Sequence, residues 1–162
     1  MTIKHFIVDE GYWDSIDSLH DHERFPGIYR LHATDTKGEF VPLSRLLGID
    51  PEGILYIGAS AVVQDRASEL KKSICAAYKK IDPVTYKNQK YSDFECHQTG
   101  KKIVRRPRFV ENFPLSRLCL TVTRHLGNPD ELEIKSHGHF KLEEKLLQEY
   151  EQKFGEKPAF NS

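Results

Sequence analysis

Two short runs constrain this chain more than anything else in it. Gly27-Ile28-Tyr29-Arg30-Leu31 and Ile54-Leu55-Tyr56-Ile57-Gly58 each set a tyrosine between aliphatic residues, and a helical pattern carrying Arg66 follows the second almost at once. Apolar, β-branched and aromatic runs bounded by turn residues read as strands. The spacing predicts strands over 27–32 and 54–57, paired antiparallel, with 34–53 as an insertion between them. Turn signals at Asp35-Thr36-Lys37-Gly38, Pro42 and Asp50-Pro51-Glu52-Gly53 punctuate that insertion. A short helical turn over 43–47 fits inside it.

Further along, Val62, Val63, Ala67, Leu70, Ile74, Ala77 and Tyr78 recur at three- and four-residue steps, which predicts a helix over 61–80 ended by Asp82-Pro83. The chain is then polar and basic to about residue 113, where a short hairpin or helix with loops is expected. Residues 118–123 alternate in polarity as a third strand, and 126–136 are a turn-rich connector. A last helix over 140–154 stops at Gly155, with Pro158 beyond. Residues 1–24 mix acids with Tyr12 and Trp13 around a weak helical pattern at 16–19. They read as an N-terminal extension packing on a domain of residues 25–162.

At 162 residues, with 30% charged and 38% apolar side chains, the chain fits one soluble globular domain. Its start lacks the apolar core of a signal peptide. The longest apolar stretch, 54–63, is too short and too interrupted by Gly and Ser to span a membrane, so no membrane partner is expected. Cys75, Cys96 and Cys119 are odd in number without CxxC spacing, which points to reduced thiols in a cytoplasmic protein. His20 and His22 flank Asp21, but two histidines make a poor metal site and a surface loop is the simpler reading.

The formal net charge of zero conceals an uneven distribution. Residues 1–60 carry 5 basic and 10 acidic side chains, 61–125 carry 14 and 6, and 126–162 carry 5 and 8. The middle of the chain is thus a basic block, either a solvated face or the footprint of phosphate contacts. Lys101, Lys102, Arg105, Arg106 and Arg108 form its densest part and are the candidate DNA-binding residues.

Two charges fall on the wrong side of their helices. At about 100° per residue, Phe140, Leu142, Leu146, Leu147, Tyr150 and Phe154 share one face of the last helix, with Glu143 near its middle. The same projection puts Arg66 inside the apolar arc of the earlier helix, with Asp65, Glu69 and Lys72 pointing away. A buried charge is costly unless paired, hydrogen-bonded or bound to a metal. One explanation is a buried Arg66–Glu143 salt bridge. The other is a site where Glu143 binds a divalent cation and Arg66 a phosphate oxygen, the two groups phosphodiester hydrolysis needs. A tyrosine beside such cations is a better base than an ordinary phenol, because they favour phenolate.

These residues resemble the GIY-YIG nucleases: GIY at Gly27 to Tyr29, YIG at Tyr56 to Gly58, and Arg66 ten residues past the second tyrosine. Glu143-Glu144-Lys145-Leu146-Leu147, then Phe154-Gly155 and Pro158 to Asn161, match the tail of that family. The resemblance spans roughly residues 25–161. It implies an α/β (α+β) fold with a small three-stranded antiparallel sheet flanked by helices, and a DNA endonuclease using one Mg²⁺ or Mn²⁺. Carried over, Tyr29, Tyr56, Arg66 and Glu143 are catalytic: Glu143 the metal ligand, Arg66 the phosphate contact, Tyr29 the favoured general base and Tyr56 its orienting neighbour. Asn161 matches a supporting asparagine. His97 loosely matches a histidine that homing members place after the first helix, a solvent-exposed histidine being the other reading.

Two departures stand out. Ala59 follows YIG where many members carry Lys, and Leu70 stands four residues after the arginine where many have His or Tyr. The sequence offers no separate recognition module. Specificity is therefore expected from the insertion, from the basic segment 87–108, or from a targeting partner protein. A nuclease-fold module that binds DNA or a protein without strong activity is the rival expectation.

Overall fold

The computed structural model describes residues 2–7, 24–81, 91–133 and 140–162. The expected features at Tyr12, Trp13, 16–19, His20, His22 and Asp82-Pro83 lie outside them. Six strands occur among the described residues, β1 (Thr2–Phe6), β2 (Gly27–Ala33), β3 (Leu43–Arg45), β4 (Gly48–Asp50), β5 (Ile54–Ser60) and β6 (Leu118–Arg124). Four α-helices accompany them among the described residues: α1 (Val63–Ile81), α2 (Gln98–Val104), α3 (Pro107–Asn112) and α4 (Lys141–Phe154).

The three expected strands pair antiparallel as β6-β2-β5, and β1 adds a fourth strand beside β6. The N-terminal segment therefore begins inside the sheet and not merely packed upon it. The insertion also differs from expectation. Residues 43–50 form a β3–β4 hairpin and not a helical turn, because Asp50 anchors the chain in extended form. Its buried carboxylate accepts the N–H groups of Glu52 and Ile54 and the hydroxyl of Tyr150, all within 2.9 Å. The basic stretch resolves into α2 and α3, the latter opened by Pro107 at a position that needs no N–H.

Helix α1 covers one face of the sheet, burying Val63, Ala67, Leu70, Ile74 and Ala77 against Leu31, Leu118 and Leu120. Each large aliphatic side chain buried this way stabilises by about 1.5–3 kcal/mol. Helix α4 packs Tyr150 and Phe154 against Ile54 and Ile57 of β5, and ends at Gly155 with φ 80°. All seven residues of β5 are buried, although it is an edge strand. The C-terminal turn covers that edge: Phe160 N–H donates to the Leu55 carbonyl at 2.9 Å. No helix among the described residues is long and apolar enough to cross a membrane.

Candidate active site

The sheet register carries both tyrosines to one place. Tyr29 stands in the middle of β2, opposite Gly58 on β5 and Val122 on β6. Its buried ring lies across Gly58. A Cβ at that glycine would run into Cζ of Tyr29 and sit 2.5 Å from Oη and 2.7 Å from Cε2. The glycine of the second tripeptide is thus the floor on which the tyrosine of the first lies. Gly27 is constrained similarly, since a Cβ there would meet the Thr123 carbonyl oxygen at 2.6 Å.

Tyr56 lies beside Tyr29, ring centroids 5.9 Å apart. His97 completes the group, edge-on to Tyr56 at 5.0 Å and to Tyr29 at 6.1 Å. It is buried, which rules out the exposed reading, because it caps α2: Nδ1 accepts the Thr99 N–H at 3.2 Å. A ring nitrogen that accepts carries no proton, so the proton of the neutral ring is on Nε2. Nε2 lies 3.3 Å from Tyr29 Oη. His97 therefore donates to the phenol. Burial above all, then the Arg66 and Lys102 charges, push its pKa down to about 3, and it stays neutral at pH 7.

Arg66 sits in the first turn of α1, half-buried, and forms an ion pair with Glu69 one turn along the same helix. Burial works against its charge, but Tyr29 and Glu69 outweigh that and raise its pKa. Burial lifts the Tyr29 phenol above its ordinary value; Arg66 opposes the rise and Glu143 adds to it. Tyr56 is likewise raised, first by burial and then by Tyr29 and Glu143. Glu143 occupies the first turn of α4 and is only 7% exposed, as the helix projection expects. There the helix dipole favours the charged carboxylate.

Tyr29, Tyr56, Arg66, His97, Glu143 and Asn161 all border one open cleft of about 730 Å³. Asn161 holds its wall in place. Its Oδ1 accepts the Ile57 N–H at 2.9 Å and its Nδ2 donates to the Ile57 carbonyl at 2.8 Å, so the amide acts as one more ladder partner for β5. Of the five candidate DNA-binding residues, only Lys102 borders this cleft, where Nζ also donates to the Phe160 carbonyl at 2.7 Å. Lys101, Arg105, Arg106 and Arg108 are exposed on and beside α2 and α3. Ala59 borders the cleft, whereas Leu70 is wholly buried in the core.

Among family models, curated proteins and solved structures, none matches this chain. The cleft also contains residues that neither strand pattern nor helix projection singles out, Gln98 and Lys157 among them. No sequence signal marks them, because loops and a second helix bring them in.

The donor set can be tested against a divalent cation. No group of three or more His, Cys, Asp or Glu side chains suited to a metal occurs among the described residues. A cage for Zn²⁺ or Ca²⁺ needs such a group. Mg²⁺ differs, since it keeps several waters and is held by one or two carboxylates plus substrate phosphate oxygens. A single buried Glu143 on a roomy cleft fits that mode, with Glu144 beside it on the same wall.

Proposed function

We propose that this cleft hydrolyses phosphodiester bonds in DNA, as the resemblance to GIY-YIG nucleases implies. The observation that carries the proposal is convergence: two tyrosines, an arginine, a neutral histidine and a buried carboxylate from five elements of the chain border one cleft. Four of them, Tyr29, Tyr56, His97 and Glu143, are at most 8% exposed and yet border that cleft.

Each group has a role its surroundings support. Arg66 contacts a non-bridging phosphate oxygen and offsets charge in the transition state, exchanging its partner Glu69 for the substrate. Tyr29 is the general base, and the phenolate it must become is met by the Nε2–H of His97 and by Arg66. Tyr56 orients the attacking water or the phosphate. Glu143 would hold Mg²⁺ or Mn²⁺. Such a cation, when bound, polarises the phosphate and cancels the carboxylate charge that raises both phenols. Lys102, which also borders the cleft, supplies positive charge there, and Ala59 contributes none.

Supercoiled plasmid with Mg²⁺ or Mn²⁺ tests this directly: Glu143→Gln should abolish nicking, and nicking at the unaltered rate would defeat the assignment. Ala59 on the cleft wall favours the rival, a module that grips DNA without strong catalysis. Salt-sensitive binding without cleavage of duplex, branched and single-stranded DNA would establish that rival instead.

A further inference from the structure

Four large apolar side chains are exposed among the described residues, and three of them share the β3–β4 hairpin. Leu46, Leu47 and Ile49 are 74%, 69% and 65% exposed. Arg45 pairs with Gly48, so Leu46 and Leu47 are themselves the turn. Such turns ordinarily take Asn, Asp or Gly, for their backbone freedom and their tolerance of water. Both leucines lie against Gly155 at the end of α4, where a Cβ would meet Leu47 Cγ at 2.6 Å and Leu46 Cβ at 3.1 Å, yet this contact leaves most of each side chain exposed.

The hairpin is also firmly mounted. Leu47 N–H donates to the Phe154 carbonyl at the end of α4 at 3.0 Å. Arg45 ion-pairs with Glu156 at 3.0 Å and donates to the Lys157 carbonyl. An apolar tip held this way presents contact area at little entropic cost.

Its surroundings select a partner. Arg45, at the base of the tip, borders a second groove of about 400 Å³ together with Arg106 and Lys157. Lys157 and Phe160 border the larger cleft as well, so the two adjoin at the C-terminal turn. Glu156, paired with Arg45, is the one acid among the described residues bordering this groove, which leaves Arg106 and Lys157 to meet a polyanion that runs from the cleft toward the hairpin. Glu143 lies in the first turn of α4 and Leu47 touches its last residue. At 1.5 Å per residue these points are about 16 Å apart, or about five base-pair steps of duplex DNA.

Resting on the nuclease reading above, we infer that the Leu46–Leu47 tip is a wedge for the minor groove of duplex DNA, about five base pairs from the bond held in the cleft. Arg106 and Lys157 contact the phosphates between. Apolar side chains pressed between base steps unstack and kink the duplex, and the bent duplex covers more protein surface.

The test compares the Glu143→Gln chain, which should bind without cutting, with the same chain also carrying Leu46→Ser and Leu47→Ser. Each is bound to relaxed plasmid, a type I topoisomerase is added, and the linking number is read after the protein is removed. Gel shift on the same DNA gives occupancy. At equal occupancy the leucine tip should change the linking number about threefold more than the serine tip, or better. Unchanged urea midpoints check that the serine chain is folded. Equal linking-number changes with intact binding would overturn the wedge alone. A tip-dependent dimer in light scattering, with no topological effect, would overturn it in favour of a second copy of the chain. If neither chain shifts DNA, the nuclease reading fails and the wedge with it.

Discussion

Replacing Gly58 by alanine probes the site at its most confined point. The new methyl would sit 2.5 Å from Tyr29 Oη and 2.7 Å from Cε2, whereas non-bonded atoms settle at about 3.5–4.0 Å. The phenol must retreat by about 1 Å, away from a hydroxyl–His97 contact already 3.3 Å long. Overpacking of this kind costs about 1–3 kcal/mol of stability. Misplacing a reacting group by about 1 Å costs roughly 100-fold in rate, equivalent to about 2.7 kcal/mol of activation free energy. Urea unfolding and initial rates of plasmid nicking read the two effects separately. Nicking and stability both equal to the unaltered protein would refute the claim that Tyr29 needs the bare backbone of Gly58 beneath it.

Three further outcomes follow from individual contacts. Asn161→Ala removes both hydrogen bonds to Ile57 and should lower stability by about 1–3 kcal/mol; an unchanged urea midpoint would contradict the ladder role. His97 should make the protein acid-sensitive. It takes up a proton near pH 6.5 when unfolded but only near 3 when folded. Its contribution is therefore complete above about pH 6.5 and is lost as the pH falls from there toward 3. By about pH 4.5 the loss is up to about 3 kcal/mol. His97→Asn, which can still cap α2, should narrow the difference in urea stability between pH 7 and pH 4.5 by a comparable amount, and an unaltered difference would count against it. Arg105→Glu with Arg106→Glu should weaken DNA binding and flatten its salt dependence without unfolding the chain. Unchanged affinity would make that stretch of the basic block a solvated face.

What could be read in advance depended on the range of the forces involved. Helix periodicity located Glu143 on the inner face of α4, because a 14-residue helix averages over its neighbours. The same projection put Arg66 on a buried flank, and it is half-buried with Glu69 as its partner. That pairing depends on side-chain rotamers, which periodicity does not see. Strand alternation found β2, β5 and β6 but not β1, whose place is fixed by pairing with β6 across most of the chain length. The Leu43–Arg45 and Gly48–Asp50 hairpin was missed for a related reason. Leu-Ser-Arg-Leu-Leu has helical propensity, and the anchoring of Asp50 by Tyr150, a hundred residues away, overrides it. His97 illustrates the limit most clearly. Its burial and its donor role toward Tyr29 follow from capping α2, a tertiary circumstance that leaves little trace in spacing.

The most direct test of the central claim is a side-by-side rate of plasmid nicking in Mg²⁺ or Mn²⁺ for the unaltered chain, Tyr29→Phe, Arg66→Ala and Glu143→Ala. Loss of a transition-state contact or a metal ligand commonly costs about 100-fold or more, so all three variants should fall at least that far while keeping their urea midpoints. Equal nicking by all four proteins would show that the cleft does not cut DNA.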